Sequence, residues 1–195
     1  MAIDEMMLAS AKKLRPDAVS KVLQSQAIGV YRLAYALCGR WDVGRGVARF
    51  VLNRSVKMMP GWNPSSDPTS WYQRFTIQTS RRAARHQPEP GKDVLVEQAL
   101  EGDAQYVAFV SALRHLDNQP REAFLLRHCE RLNARYCALA MDCSTEAAEN
   151  HLRFAEQSVQ QIAGPAYDML VKKLADAYAH LSPDEQQRVP KINGV

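Results

Sequence analysis

The sequence contains no run of about 20 apolar residues, so it offers no helix that would cross a membrane. Its opening, MAIDEMMLASAKKLRP, places acids ahead of bases and has no long apolar stretch, so no secretory signal peptide is expected. The four cysteines, Cys38, Cys129, Cys137 and Cys143, show no C-x-x-C spacing. They read as small buried hydrophobes of a cytoplasmic protein rather than as a disulfide framework. A zinc site built from Cys129, Cys137, Cys143 and His151 fits no common ligand spacing. There is no P-loop, no G-x-S-x-G, no H-E-x-x-H and no dinucleotide fingerprint. His115 and His128 fall on predicted helices, and no carboxylate pair marks a pocket. The expectation is a protein without catalytic residues, cofactor, metal or small-molecule substrate.

Alternating strand patterns, internal repeats and heptads are also missing, while 46% of the residues are hydrophobic, ample for real cores. What is present is helical periodicity. Val19, Val22, Leu23, Ala27, Val30, Leu33, Ala34 and Leu37 recur at three- and four-residue spacing and predict a helix over 17–38, stopped by Gly39. A second helix is predicted over 42–58, with Val43, Val47, Phe50, Val51 and Met58 marking its buried side and Gly44 and Gly46 weakening its first turn. PGWNPSSDPT (60–69) is a loop by composition. Thr69 or Ser70 caps a third helix over 71–85, with Trp71, Phe75 and Thr79 on one side and Arg74, Gln78, Arg81 and Arg85 on another.

HQPEPGK (86–92) reads as a linker between domains. Beyond it come a short helix near 95–101, a helix begun by Pro120, a short helix over 133–141, a turn at Asp142 and Cys143, and a helix capped by Ser144. Phe124, Leu125, Leu132, Leu139 and Leu152 are the predicted core here, with Ala138 small for a close helix crossing. Gly164 and Pro165 end that helix, and a last one is predicted over 167–180 before a tail. The architecture is all-α: a helical domain (14–87), a Pro/Gly linker (88–104), a helix-turn-helix domain (105–163), and a C-terminal helix with tail (164–195). In a helix-turn-helix the second helix usually enters a DNA groove.

Net charge is +4 but unevenly spread. Residues 40–87 hold nine Lys or Arg against Asp42 and Asp67, net +7; residues 88–195 hold eleven against sixteen acids, net −5. A polyanion partner suits the first half only, and the acidic half is expected to fold back and mask the basic one.

The order of these parts resembles bacterial RNA polymerase sigma factors, in particular the small two-domain extracytoplasmic-function branch. REAFLLRH (121–128), then Glu130 and Leu132, Ala138 and the Cys143-Ser144 turn sit at family spacing. VYRLAYALCG (30–39) is similar to the opening helix of the family's second region, and SWYQRFTIQTSRR (70–82) to its promoter-facing helix. The resemblance covers roughly residues 18–160. It implies core RNA polymerase and promoter DNA as partners, with an anti-sigma factor as a third. It assigns melting of the minus-ten element to the helix over 71–85, with Arg74, Gln78, Arg81, Arg82 and Arg85 facing DNA. Trp62 is open to two readings, a base-stacking platform worth about 1–3 kcal/mol or a hydrophobic plug of its loop; Trp71 reads as core. Ser144, Thr145, Glu149, Asn150, His151 and Arg153 occupy the positions that read the minus-35 element, and Asp42, Arg45 and Arg49 those that dock on polymerase.

The sequence departs from the family in three places. Arg45 and Arg49 stand where acids usually meet a basic polymerase surface, which reverses the sign of that contact. Residues 144–161 carry Glu146, Glu149 and Glu156 against Arg153 alone, net −2 where a groove reader is normally cationic. Asp142 replaces the usual turn glycine, at a conformational cost. Two functions follow: a divergent sigma factor that still directs polymerase to promoters, or a sigma-like protein-binding regulator that has lost promoter recognition.

Overall fold

The computed structural model describes residues 4–63, 67–84, 93–99 and 103–183, and among these every regular element is helical. The 86–92 linker and the tail beyond 183 lie outside the described residues.

The chain begins with a helix that periodicity did not flag. Asp4 accepts a hydrogen bond from the Met7 amide at 2.7 Å and caps α1 (Glu5–Lys12), which buries Leu8 and Ala11 against α2. α2 (Pro16–Cys38) opens with proline in its first turn, where no amide hydrogen bond is lost. All eight apolar residues predicted for its inner stripe are buried. It stops at Gly39, whose φ of 71° is left-handed and whose amide returns to the Tyr35 carbonyl at 2.8 Å.

α3 (Trp41–Met58) lies against α2. A Cβ at Gly44 would sit 2.6 Å from Cδ1 of Tyr35 and 2.9 Å from its Cα, so this glycine permits a close helix crossing that repays its low helix propensity. The buried side is Gly44, Val47, Ala48, Val51, Leu52 and Ser55. Phe50 (52% exposed) and Met58 (42% exposed) face out, against expectation, and Val43 is half-buried. Phe50 and Val51 are about 100° apart on the helix and cannot both point at α2; the stripe of smaller residues packs closer. A single 3₁₀ turn (Met59–Gly61) follows, then α4 (Pro68–Ala84).

Within residues 93–99 lies a short helix, close to the one expected near 95–101. Asp93 caps a short α5 (Val94–Glu97) whose Val94, Leu95 and Val96 are buried, and the Val94 amide donates to the Gly39 carbonyl at 3.1 Å. α6 (Ala104–His115), α7 (Asn118–His128), α8 (Ala134–Met141), α9 (Thr145–Ala163) and α10 (Tyr167–His180) complete the second helical unit. Pro120 stands inside the first turn of α7 rather than at its start. Phe124, Leu125 and Ala138 are buried, and Leu132 and Leu152 half-buried. Leu139, predicted core, is 50% exposed, because Cys137, Ala138, Ala140 and Met141 take the inner side of this two-turn helix.

The buried apolar residues of both units form one continuous cluster, in which α4 meets α8 and α2 meets α7 and α10. Each fully buried Leu or Phe in it contributes about 1.5–3 kcal/mol. Polar clasps complete the join. Arg114 of α6 pairs with Asp93 and donates to the Leu37 carbonyl at 3.0 Å, a cation at the C-terminal end of α2. Arg32 of α2 donates to the Leu181 carbonyl, just past α10, at 3.0 Å. Arg121, half-buried and beside Arg114, has its pKa lowered to about 10 by desolvation. No helix among the described residues is long and apolar enough to cross a membrane.

Candidate nucleic-acid interface

α4 begins at Asp67, whose carboxylate accepts from the Thr69 amide at 3.0 Å and from the Ser70 hydroxyl at 3.2 Å. Asp67 is therefore the cap, and Thr69 and Ser70 sit in the first turn. The inner side of α4 is Tyr72, Gln73, Thr76, Ile77 and Ser80. That side is largely polar and mostly satisfied locally. The Tyr72 hydroxyl donates to Ser55 at 2.9 Å, Ser55 to the Leu52 carbonyl at 2.7 Å, and Thr76 to the Tyr72 carbonyl at 2.7 Å. Burial pushes the Tyr72 phenol far up, so it remains a donor.

This register turns Trp71 and Phe75 sideways, toward α3, where both are half-buried. They join a row of aromatic rings. Phe50 lies 6.1 Å from Phe75, Phe75 lies 5.1 Å from Trp71, and Trp71 lies 5.1 Å from Trp62. Along the row runs a cleft of about 350 Å³ lined by Arg54, Met58, Trp71, Arg74, Phe75 and Gln78. It adjoins a second, of about 300 Å³, which shares Met58 and Trp71 and reaches Trp62, Asn63 and Asp67. Trp62 also packs edge-on against Tyr72 at 5.7 Å, and its buried indole N–H has no hydrogen-bond partner among the described residues. Rings flanked by guanidinium groups are how proteins hold unpaired nucleotides.

The predicted cations of α4 divide. Gln78 and Arg74 line the cleft, and Arg82 is exposed with no ion pair among the described residues; Arg85 lies outside them. Arg81 is committed elsewhere. It donates from Nε to Oε1 of Glu122 at 2.8 Å and from Nη2 to Oε2 at 2.5 Å, and Glu122 is 2% exposed. Arg74, besides lining the cleft, pairs with Asp142 at 2.8 Å. Gln73 donates to Glu130 at 3.2 Å, and Glu130 also accepts from the Tyr178 hydroxyl of α10. Three acids of the second unit thus sit on one helix of the first.

The helix-turn-helix is built as the sequence suggested. Asn133 caps α8 by accepting from the Tyr136 amide at 3.1 Å. Asp142 takes the left-handed turn at φ 60°, ψ 49°, and Ser144 caps α9 by accepting from the Ala147 amide at 3.1 Å. Ser144, Thr145, Glu146, Glu149, Asn150 and Arg153 are exposed, and Arg153 donates to Asn150 at 3.0 Å. His151 is half-buried. The surface of α9 is acidic as well as its sequence. On α3, Asp42 is exposed and held by Arg40 at 2.8 Å, which lowers its pKa. Arg49 is exposed, and Arg45 is half-buried with its Nε unpartnered among the described residues.

Burial raises the pKa of all four thiols, Cys137 to about 11, which favours their protonated forms. Among the described residues no three His, Cys, Asp or Glu side chains gather as metal ligands.

Spacing alone did not point to Phe50, Arg54, Met58 and Phe75 as one site. The available signal was that Ala48, Leu52 and Ser55 offer α3 a second inward stripe, which frees Phe50 and Arg54 to face α4.

No family model matches the chain, and no curated protein matches its sequence. Solved structures do match. A chain of the structure of CnrH in complex with the cytosolic domain of CnrY superposes with a TM-score of 0.65 at 16% identity, covering 82% of this chain and 96% of that one. A chain of the co-crystal structure of the sigma factor RpoE with the anti-sigma factor NepR from Bartonella quintana gives 0.56 at 16% identity, covering 80% of this chain and 98% of that one. The chain has the sigma-factor fold: all-helical, in two helical units, the second a helix-turn-helix.

Proposed function

We infer that this chain is a divergent sigma-type initiation factor that brings RNA polymerase to promoters, and that the cleft between α3 and α4 is where it holds an opened DNA strand. The observation that carries this reading is the aromatic row from Phe50 to Trp62, flanked by Arg54, Arg74 and Gln78. Stacking on each ring is worth about 1–3 kcal/mol per base and tolerates any sequence, while the arginines meet phosphates. The first helical unit ends before the 86–92 stretch, and the helix-turn-helix over 105–163 is the second. Core RNA polymerase and promoter DNA are the partners. An anti-sigma-type protein is a third, in keeping with the complex of RpoE with NepR. The site of action is the cytoplasm.

A second reading is favoured by different residues. Arg45 and Arg49 on the clamp-side helix and Glu146 and Glu149 on the reading helix suit a regulator that binds proteins and no longer selects promoters.

Transcription with purified core RNA polymerase on a genomic promoter library separates the two. The sigma reading expects specific transcripts that need this chain and weaken with Arg54→Ala. Binding to polymerase with no transcript from any promoter would replace it by the second reading.

A further inference from the structure

We propose that the place around Cys38 where α2, α4, α6 and α7 meet is a binding site for a single halide ion, held by donors of Ser80, Arg114 and Arg121. The site is independent of the nucleic-acid reading above.

Three buried donors there lack an acceptor. Arg114 pairs with Asp93 through Nε and gives Nη1 to the Leu37 carbonyl at 3.0 Å, while its Nη2 is buried with no partner among the described residues. Arg121 gives Nη1 to the Arg114 carbonyl at 3.1 Å and Nη2 to Oδ1 of Asn118 at 2.8 Å, while its Nε is buried and unpartnered in the same way. Ser80 is 4% exposed, and its hydroxyl has no partner among the described residues beyond the weakly bonding Cys38 thiol beside it. Buried polar groups are ordinarily satisfied, so three in one place call for a common acceptor.

The three share one neighbourhood. Burial pushes the Cys38 thiol up, and the Ser80 hydroxyl, Arg114 and Arg121 each oppose that push. A Cβ at Gly39, the next residue, would sit 3.1 Å from Nε of Arg114, so this guanidinium lies against the backbone beside Cys38. Arg121 in turn reaches the backbone of Arg114.

Charge identifies what is missing. Arg81 is matched by Glu122 and Arg114 by Asp93, but Arg121 has no carboxylate partner among the described residues. Three cations thus stand against two acids, net +1, and a desolvated charge without a partner is costly. With its pKa lowered to about 10, Arg121 still keeps its proton at neutral pH. One monovalent anion cancels the excess, whereas a doubly charged phosphate would reverse it.

Donor arrangement then favours a spherical ion. A carboxylate or phosphate takes two parallel N–H groups of one guanidinium. In Arg114, Nε and Nη1 are already engaged, and in Arg121 both terminal nitrogens are. What remains free is one nitrogen from each arginine and one hydroxyl. Single donors from separate side chains suit chloride or bromide.

The test melts the full chain in sodium chloride, sodium bromide and sodium gluconate at equal ionic strength, and soaks its crystals in bromide, which anomalous scattering locates. The parent should melt about 3 °C higher in either halide, the gain expected of a ligand at about ten times its Kd. Arg121→Met removes the excess charge and one donor at similar volume. It should melt in gluconate at or above the parent and show no halide shift. Ser80→Ala, which keeps the charge, should retain a reduced shift. Bromide is expected within hydrogen-bonding reach of Arg114 Nη2, Arg121 Nε and Ser80 Oγ. A halide shift equal in the parent and in Arg121→Met, or water in place of bromide, would overturn the proposal. Bromide at the site without an Arg121-dependent shift would mark an adventitious ion only, and would overturn it too. If Arg121→Met does not fold, the bromide map and the response of Ser80→Ala decide, an unreduced shift in the latter counting against the site.

Discussion

Arg81, near the end of α4, holds both carboxylate oxygens of Glu122, a residue of α7 that is 2% exposed. One bidentate pair thereby joins a cation expected to face DNA to a helix of the other unit. Arg81→Ala would leave Glu122 buried and unpaired, and breaking such a pair costs about 3–5 kcal/mol. Urea unfolding should show a loss near the lower figure, since Arg81 keeps some solvent contact, whereas Arg82→Ala, exposed next door, should stay within about 0.5 kcal/mol of the parent. Equal, small effects from both would mean that the pair does not join the units.

At Asp142 two small substitutions should diverge. Glycine removes the Arg74 pair, worth at most about 1 kcal/mol at this exposure, but relieves a left-handed backbone. Alanine removes the same pair and relieves nothing. Asp142→Gly is expected to melt at or above the parent, and Asp142→Ala to be about 1 kcal/mol less stable than Asp142→Gly. Thermal denaturation followed by circular dichroism checks the order.

Gly44 and Gly46 are two residues apart on α3 and should respond oppositely to alanine. A Cβ at Gly44 meets the ring and backbone of Tyr35 below 3.0 Å, and overpacking of that kind costs about 1–3 kcal/mol. At Gly46 there is nothing within 4 Å, so Gly46→Ala should gain about 0.5–1 kcal/mol in helix propensity. Chemical denaturation of the two variants reads both signs.

His128 packs on Phe124 at 4.4 Å and meets Glu156 at 2.9 Å. Burial holds its pKa below the ordinary 6.5, with Arg127 adding to the effect and Glu156 opposing it. The folded state therefore prefers the neutral ring. Stability from this group is present above pH 6.5 and is lost as pH falls through the folded value, at up to about 1.4 kcal/mol per pH unit. Melting temperature should drop as pH falls below 6.5, and His128→Gln should flatten that drop. A parent profile that His128→Gln leaves unchanged would exclude the histidine as its source.

Much of the fold was legible because caps and periods agreed. Gly39, Asn133, Asp142 and Ser144 each mark a helix end found in the structure, and the stripe of α2 is buried as spaced. α1 escaped because eight residues with two buried side chains give little period to see. The buried faces of α3 and α4 are rotated away from the faces that their largest apolar residues, Phe50, Trp71 and Phe75, mark. The helices instead bury smaller or polar residues whose hydroxyls bond one another, as Tyr72 and Ser55 do. For the site, the uneven charge indicated that the acidic half folds back on the basic one. Which acid meets which arginine, as with Arg74 and Asp142, is set by tertiary packing and leaves no trace in spacing.

Small-angle scattering of the full chain at low ionic strength tests most directly whether the two units close face to face over α4. A closed particle of this length has a radius of gyration of about 16 Å and a single-peaked distance distribution. A radius well above about 20 Å with a second peak, under conditions that should strengthen the pairing of Arg74 and Arg81 with Asp142 and Glu122, would contradict the account.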